Sequence, residues 1–167
     1  TATNDFTGAV SLNNSGANNV TVTDVNAISL GTSTVGSGTL TVTGVGITEI
    51  AGGVITQAAA AGAATFNGGA GVITLVGTGN NDFTGPVSLN NSGANNVTVT
   101  DVNAISLGSS AVGSGTLTVN AVGITEIGTA TITQAAAAGA ATFNAGAGVI
   151  TLVGAGTNDF TGNVILN

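Results

Sequence analysis

The chain has no Lys, Arg, His, Cys, Met, Trp or Tyr, and each absence removes a class of function. Without a cation it cannot neutralise phosphates or release their counterions, so nucleic acid is not an expected partner. Without Cys or His it has no disulfide framework, thiolate centre or imidazole ligand. Its only ionisable side chains are Asp5, Asp24, Glu49, Asp82, Asp101, Glu126 and Asp159, for a net charge of −7. No apolar run reaches the length of a membrane span, so no membrane insertion is expected. Pro occurs once, at Pro86, and Phe is the only aromatic.

What remains is 43% hydrophobic, built mostly of Val, Ile, Leu and Ala, with 28 Gly among many Thr, Asn and Ser. That apolar share is too high for a disordered chain. Branched residues interrupted by Gly and Asn predict many short strands joined by tight corners.

The string NDFTG begins at Asn4, Asn81 and Asn158, a period of 77 residues. VSLNNSGANNVTVTDVNAISLG recurs unchanged from Val10 and Val87, and ITQAAAAGAATFN from Ile55 and Ile132. The chain therefore reads as one continuous segment, 1–167, with units 4–80 and 81–157 and a partial third, 158–167. Neither end carries an atypical capping sequence, the expectation for an excerpt from a longer array.

Within each unit a degenerate shorter repeat emerges. Asp5-Phe6-Thr7, Thr21-Val22-Thr23, Thr41-Val42-Thr43 and Thr65-Phe66-Asn67 align, each followed by a second strand: Val10-Ser11-Leu12, Ile28-Ser29-Leu30, Thr48-Glu49-Ile50 and Ile73-Thr74-Leu75. Turns of roughly 16 to 25 residues are coil-sized. The fold expected is all-β, a right-handed parallel β-helix with about four coils per unit. Period-two alternation then predicts one inward column through Phe6, Val22, Val42, Phe66, Phe83 and Val99, and another through Leu12, Leu30, Ile50 and Leu75.

Outward positions supply the candidate interaction face: Thr21, Thr23, Thr41, Thr43, Thr65, Asn67, Thr98, Thr100, Thr118, Asn120, Thr142 and Asn144. Stacked hydroxyls and amides can hydrogen-bond to their like along the axis. Asp5, Asp82 and Asp159 are expected to intrude on this face, and all the acids to be solvated surface charges. The shared position of Gly8, Asp24, Gly44 and Gly68 reads as a corner. The alanine run 58–61 is too short and too close to Gly62 for an isolated helix.

Chemistry is harder to find. Glycosidase-type catalysis needs two carboxyls about 5–10 Å apart, and the acids are spread too thinly, so no catalytic residue is expected. Calcium-binding nonapeptides carry an Asp in every turn, whereas here each column has one per several turns, so neither a metal nor a cofactor is expected. GGAGVITL, from Gly68, lacks the Lys-Thr of a phosphate loop.

NDFTGAVSLNNSGANNVTVTDVNAISLG, followed by ITQ, ATFNGGAGVITL and a return to NDFTG, resembles the repeat arrays of giant filamentous-haemagglutinin-like adhesins of Gram-negative bacteria over essentially the whole chain. The resemblance implies a secreted or surface-attached β-helix, commonly exported by two-partner secretion, acting as an adhesive or structural fibre. Its partners would be copies of itself, end to end or side by side, and host, cell-surface or carbohydrate ligands. Typical members carry basic residues; this chain has none. A rival reading comes from the surface alone: paired Thr-x-Thr and Thr-x-Asn files, about 7 Å apart and repeating every 4.8 Å or so, could order water and bind ice.

Overall fold

A computed structural model of the chain describes residues 4–154 and 156–167. Among these residues there is no helix, and every strand pairing is parallel. The chain winds as a β-solenoid of about seven turns. One ladder begins with Val20–Thr23, Leu40–Thr43, Ala64–Gly69 and Val87–Asn91, and continues through Ile105–Leu107, Ile124–Glu126 and Ile150–Thr151. A second runs from Ile28–Leu30 through Ile47–Glu49, Ile73–Leu75, Val97–Thr100, Leu117–Asn120 and Ala141–Asn144 to Val164–Leu166. Shorter strands stand on opposite sides of the coil: Ser33–Val35 over Ile55–Gln57 form a separate two-stranded sheet, and Ser110–Val112 over Ile132–Gln134 extend the first sheet through Asn90.

The coil count refines the expected four. Val20 stacks on Leu40, Leu40 on Ala64 and Ala64 on Val87, in steps of 20, 24 and 23 residues. The repeat-mate of Val20 is not Val87 but Val97, which lies in the other sheet against Ile73. Each unit therefore takes about three and a half coils, and two units take seven. Successive units are turned by half a revolution, and with strands about 4.8 Å apart each unit advances about 17 Å.

The half-turn corrects the expected columns. Val22, Val42, Phe66 and Leu89 stack in the first sheet, while Leu75, Val99, Val119 and Phe143 stack in the second. Phe83 belongs to neither ladder; its neighbour Asp82 pairs with Thr56 beside the two-stranded sheet. From there its ring meets Phe66 edge-on, centroids 5.8 Å apart at 74°, a geometry favoured by the ring quadrupole. Phe143 and Phe160 repeat the contact at 5.9 Å.

A second correction concerns Ile50, which was expected to point inward. Ile47 stacks between Ile28 and Ile73 and is fully buried, whereas Ile50 is 42% exposed. The three-isoleucine ladder sets the register, and a slip of one residue exchanges every side chain between faces. Glu49 thereby turns inward, paired with Leu30.

The corners are also more specific than the expected shared position. Gly44 and Gly68 do not adopt positive φ; Gly46 (103°) and Gly69 (53°) do. A Cβ on Gly68 would stand 2.7 Å from Ile73 Cγ1, so the constraint there is inward space, and the second unit meets it with Ala145, which is buried. The alanine run forms a turn with Ala60 at φ 55°, and Ala137 repeats it at 57°. Pro86 stands just before the strand Val87–Asn91, where its carbonyl accepts from Ala64 N.

Phe66→Ala removes a fully buried ring and its partner's edge contact, and should cost about 3–5 kcal/mol in denaturant unfolding. Val25→Ser, at an exposed corner, should leave the unfolding midpoint nearly unchanged.

Candidate interaction faces and the clasp between units

The twelve candidate face residues form two groups. Thr21, Thr41 and Thr65 are in register in the first sheet, as are Thr23, Thr43 and Asn67. Thr98, Thr118 and Thr142, with Thr100, Asn120 and Asn144, stack in the second. The half-turn separates the groups, so no single face carries all twelve.

Within each group the amides form a ladder. Asn67 Nδ2 donates to Thr43 Oγ1 at 3.4 Å, and Asn90 Nδ2 to Asn67 Oδ1 at 3.1 Å. In the second group Asn120 donates to Thr100 at 3.1 Å, Asn144 to Asn120 at 2.7 Å and Asn167 to Asn144 at 2.8 Å. One hydroxyl file is longer than expected: Ser29, Thr48 and Thr74 continue in register into Thr98, Thr118 and Thr142. The file beside it does not match, because below Thr100 it passes to exposed Val76 and Ile50. The two-file polar surface therefore spans three coils in the second sheet and four in the first, where Ser88 and Asn90 extend it. Asp82 pairs with Thr56 on the separate two-stranded side and so stands off it, whereas Asp159, paired with Thr133, lies in the column that continues the Thr23, Thr43, Asn67 and Asn90 file through Ala111. Where the strand Ala64–Gly69 bulges against Val87–Asn91, an open groove of about 290 Å³ is lined by Asn67, Gly69, Asn90, Asn91, Ser92 and Ala111. Its amides are already engaged: Asn90 Oδ1 accepts from Ala111 N at 3.0 Å, and Asn91 Oδ1 from Gly113 N at 3.0 Å.

Four of the acids are not the solvated charges expected. Asp24 and Asp101 are buried. Asp101 accepts from Phe83 N at 2.8 Å and Asn103 N at 3.0 Å, which satisfies two backbone donors that the coil turn leaves without ladder partners. Glu49 Oε2 accepts from Gly77 N at 2.7 Å and from Asn81 Nδ2 at 3.2 Å. In the second unit Glu126 Oε2 takes the same two partners, Gly154 N and Asn158 Nδ2, each at 2.9 Å. The other oxygen of each glutamate is buried with no hydrogen-bond partner.

Asn81, fully buried, connects this glutamate to three coils. Its Oδ1 accepts from Ile55 N at 2.7 Å, and its Nδ2 also reaches the carbonyls of Leu75 and Thr100, each at 3.3 Å. The rest of NDFTG is equally occupied. Asp82 accepts from Asn103 Nδ2 at 2.9 Å, and Phe83 packs on Phe66. Thr84 accepts from Ala61 N at 3.2 Å. Gly85 N donates to Gln57 Oε1 at 3.2 Å, while Gln57 Nε2 donates to Gly62 O at 3.2 Å. A Cβ on Gly85 would fall 2.1 Å from Gly62 O. NDFTG is thus a clasp fastening each unit to the one before it. Glu49 and Asn81, like Glu126 and Asn158, stand 32 residues apart, but in a 77-residue repeat every pair of positions keeps its spacing, so the sequence carried no signal of the clasp. Among the described residues no three acidic side chains converge.

A stack of parallel coils joined by a repeated clasp defines a tandem-repeat β-solenoid. Residues 17–90 and 94–167 each match a family described as repeats of unknown function (DUF5649), and the chain belongs to that family. No curated protein and no solved structure matches it.

The buried carboxyls determine a pH dependence. Desolvation raises Glu49 above its ordinary 4.5, against the lowering effect of Gly77 N–H and Asn81. Desolvation likewise raises Asp101 above 3.8, with the neighbouring Asp82 charge adding to it. Both groups hold a proton more tightly folded than unfolded. Their contribution is therefore complete below those ordinary values and is lost as pH rises through the raised ones. The urea midpoint, measured in dilute solution, should be higher near pH 4 than near pH 8, the reverse of ordinary acid denaturation. Glu49→Gln should flatten that slope.

Proposed function

We propose that the chain is a non-catalytic segment of an extracellular or cell-surface stalk, an adhesive or structural fibre whose rods associate end to end or side by side. The observation that carries this reading is the passage of the ladders through the unit boundary. Four residues from Ala64 to Asn67 pair in sequence with Val87 to Asn90, so one unit supplies the template edge for the next and an array can lengthen without a new fold.

Composition supports the rest. The acids that could serve chemistry are spent on backbone N–H groups, and no cation offers a landing place for phosphate or anionic lipid. Among the described residues no helix is long and apolar enough to cross a membrane. With no Lys or Arg the chain offers trypsin no cleavage site, which suits a durable external material. The resemblance to filamentous-haemagglutinin-like arrays points the same way and makes host, cell-surface or carbohydrate ligands the partners to test.

One observation favours ice binding as a second reading: the in-register hydroxyl file from Ser29 to Thr142. Its unmatched neighbour, broken by Val76 and Ile50, weighs against it.

Light scattering and electron microscopy of purified arrays at rising concentration should reveal filaments or bundles of thin rods. Dispersed monomers at high concentration would remove the self-assembly half of the proposal. Thermal hysteresis on the same samples should be nil, and a clear freezing gap would move the reading to ice.

A further inference from the structure

We propose that Asn96, and its first-unit counterpart Asn19, are acceptors for an N-linked sugar, one per 77-residue unit. The proposal rests on the extracellular reading above. Four asparagines begin the tripeptide Asn-x-Ser/Thr: Asn13, Asn19, Asn90 and Asn96. That tripeptide marks acceptor asparagines in exported chains, and the coil decides which can be used.

Asn96 lies in the middle of the stack, with coils above and below it. Its Oδ1 accepts from Thr116 N in the next coil at 3.0 Å, and Asn19 Oδ1 accepts from Thr39 N at the same distance. Both side chains are on exposed residues. Neither Nδ2 has a hydrogen-bond partner among the described residues, whereas the amide nitrogens of Asn67, Asn81, Asn91, Asn95, Asn103 and Asn120 are all engaged. Asn90 has the same tripeptide but is tied at both atoms, donating to Asn67 and accepting from Ala111. Asn13, its counterpart in the first described coil, accepts from Thr34 N at 3.1 Å and has no described coil beneath it to donate to, so the fully stacked Asn90 decides for that position. A sugar there would break the amide ladder; a sugar on Asn96 would leave its one structural bond intact, because N-linkage retains the carbonyl oxygen.

The co-reactant is a sugar carried on diphosphate, delivered by a separate transferase. The amide nitrogen forms a bond to the anomeric carbon. The bond from that carbon to the diphosphate oxygen breaks, the diphosphate leaves with the electron pair, and one amide proton passes to a base of the transferase. Because each unit is turned by half a revolution, sugars at Asn19 and Asn96 project from alternate sides of the rod, about 17 Å apart along its axis.

The test is mass spectrometry of the full chain recovered from the outside of the cells that make it. Cleavage before aspartate yields the fragment 82–100, which contains both Asn90 and Asn96. Fragmentation should place the added mass of one or more sugar residues on Asn96 and leave Asn90 bare. Thr98→Val, which keeps the asparagine and a branched strand residue, should abolish the modification, and Asn90→Gln should leave it unchanged. A bare fragment, or a sugar on Asn90 or on a hydroxyl instead, overturns the proposal. Recovery only from inside the cells would sink the extracellular reading itself, and the site proposal with it.

Discussion

Parallel stacking of unequal coils is the constraint on which this molecule depends. A dry core requires apolar residues to stack on one another at most inward positions, and the chain meets this with coils whose ladder steps are 20, 24 and 23 residues in the first sheet. Those lengths add to a non-integral number of turns per unit. The half-turn that results is invisible to any single coil, yet it determines where every surface feature of the array appears. Identical strings in adjacent units face different ways, and a given face recurs only after two units.

A chain without cations must handle its carboxylates differently from most proteins. An unpaired buried carboxylate is costly, and no ion pair is available to offset that cost. Here the buried acids instead take donors from backbone turns and from asparagine, as at Glu49 with Gly77 and Asn81. The same arrangement appears at Glu126. The unit boundary thus contains the most polar interior of the rod, and NDFTG is retained there because each of its residues meets a different partner in the coil below or above.

Much of the fold was legible in the sequence. Alternation placed Val22, Val42, Phe66, Val99 and Phe143 inside and the Thr files outside, because period two is enforced by the pleat itself. Three things were hidden. The half-turn depends on loop lengths summed over a unit, and NDFTG looks like a strand of the Thr-Val-Thr series although it pairs with the short strands Ile55–Gln57 and Ile132–Gln134. Ile47 and Ile50 are equally apolar, so only the neighbouring isoleucines reveal which points inward. The burial of Asp24, Asp101, Glu49 and Glu126 follows from backbone donors that no side-chain pattern announces. The candidate face was found residue by residue, but its division between two sheets was not.

Because the chain lacks cysteine, paired substitutions report stacking directly. Thr74 and Thr98 are ladder partners, whereas stacking by whole coils would set Asp82 against Thr98. Oxidation of Thr74→Cys/Thr98→Cys should close a disulfide readily, since adjacent parallel strands fall within the Cα separation, about 4.4–6.8 Å, that the bond requires. Asp82→Cys/Thr98→Cys should remain reduced under the same conditions, and cross-linking in that second pair without the first would contradict the half-turn.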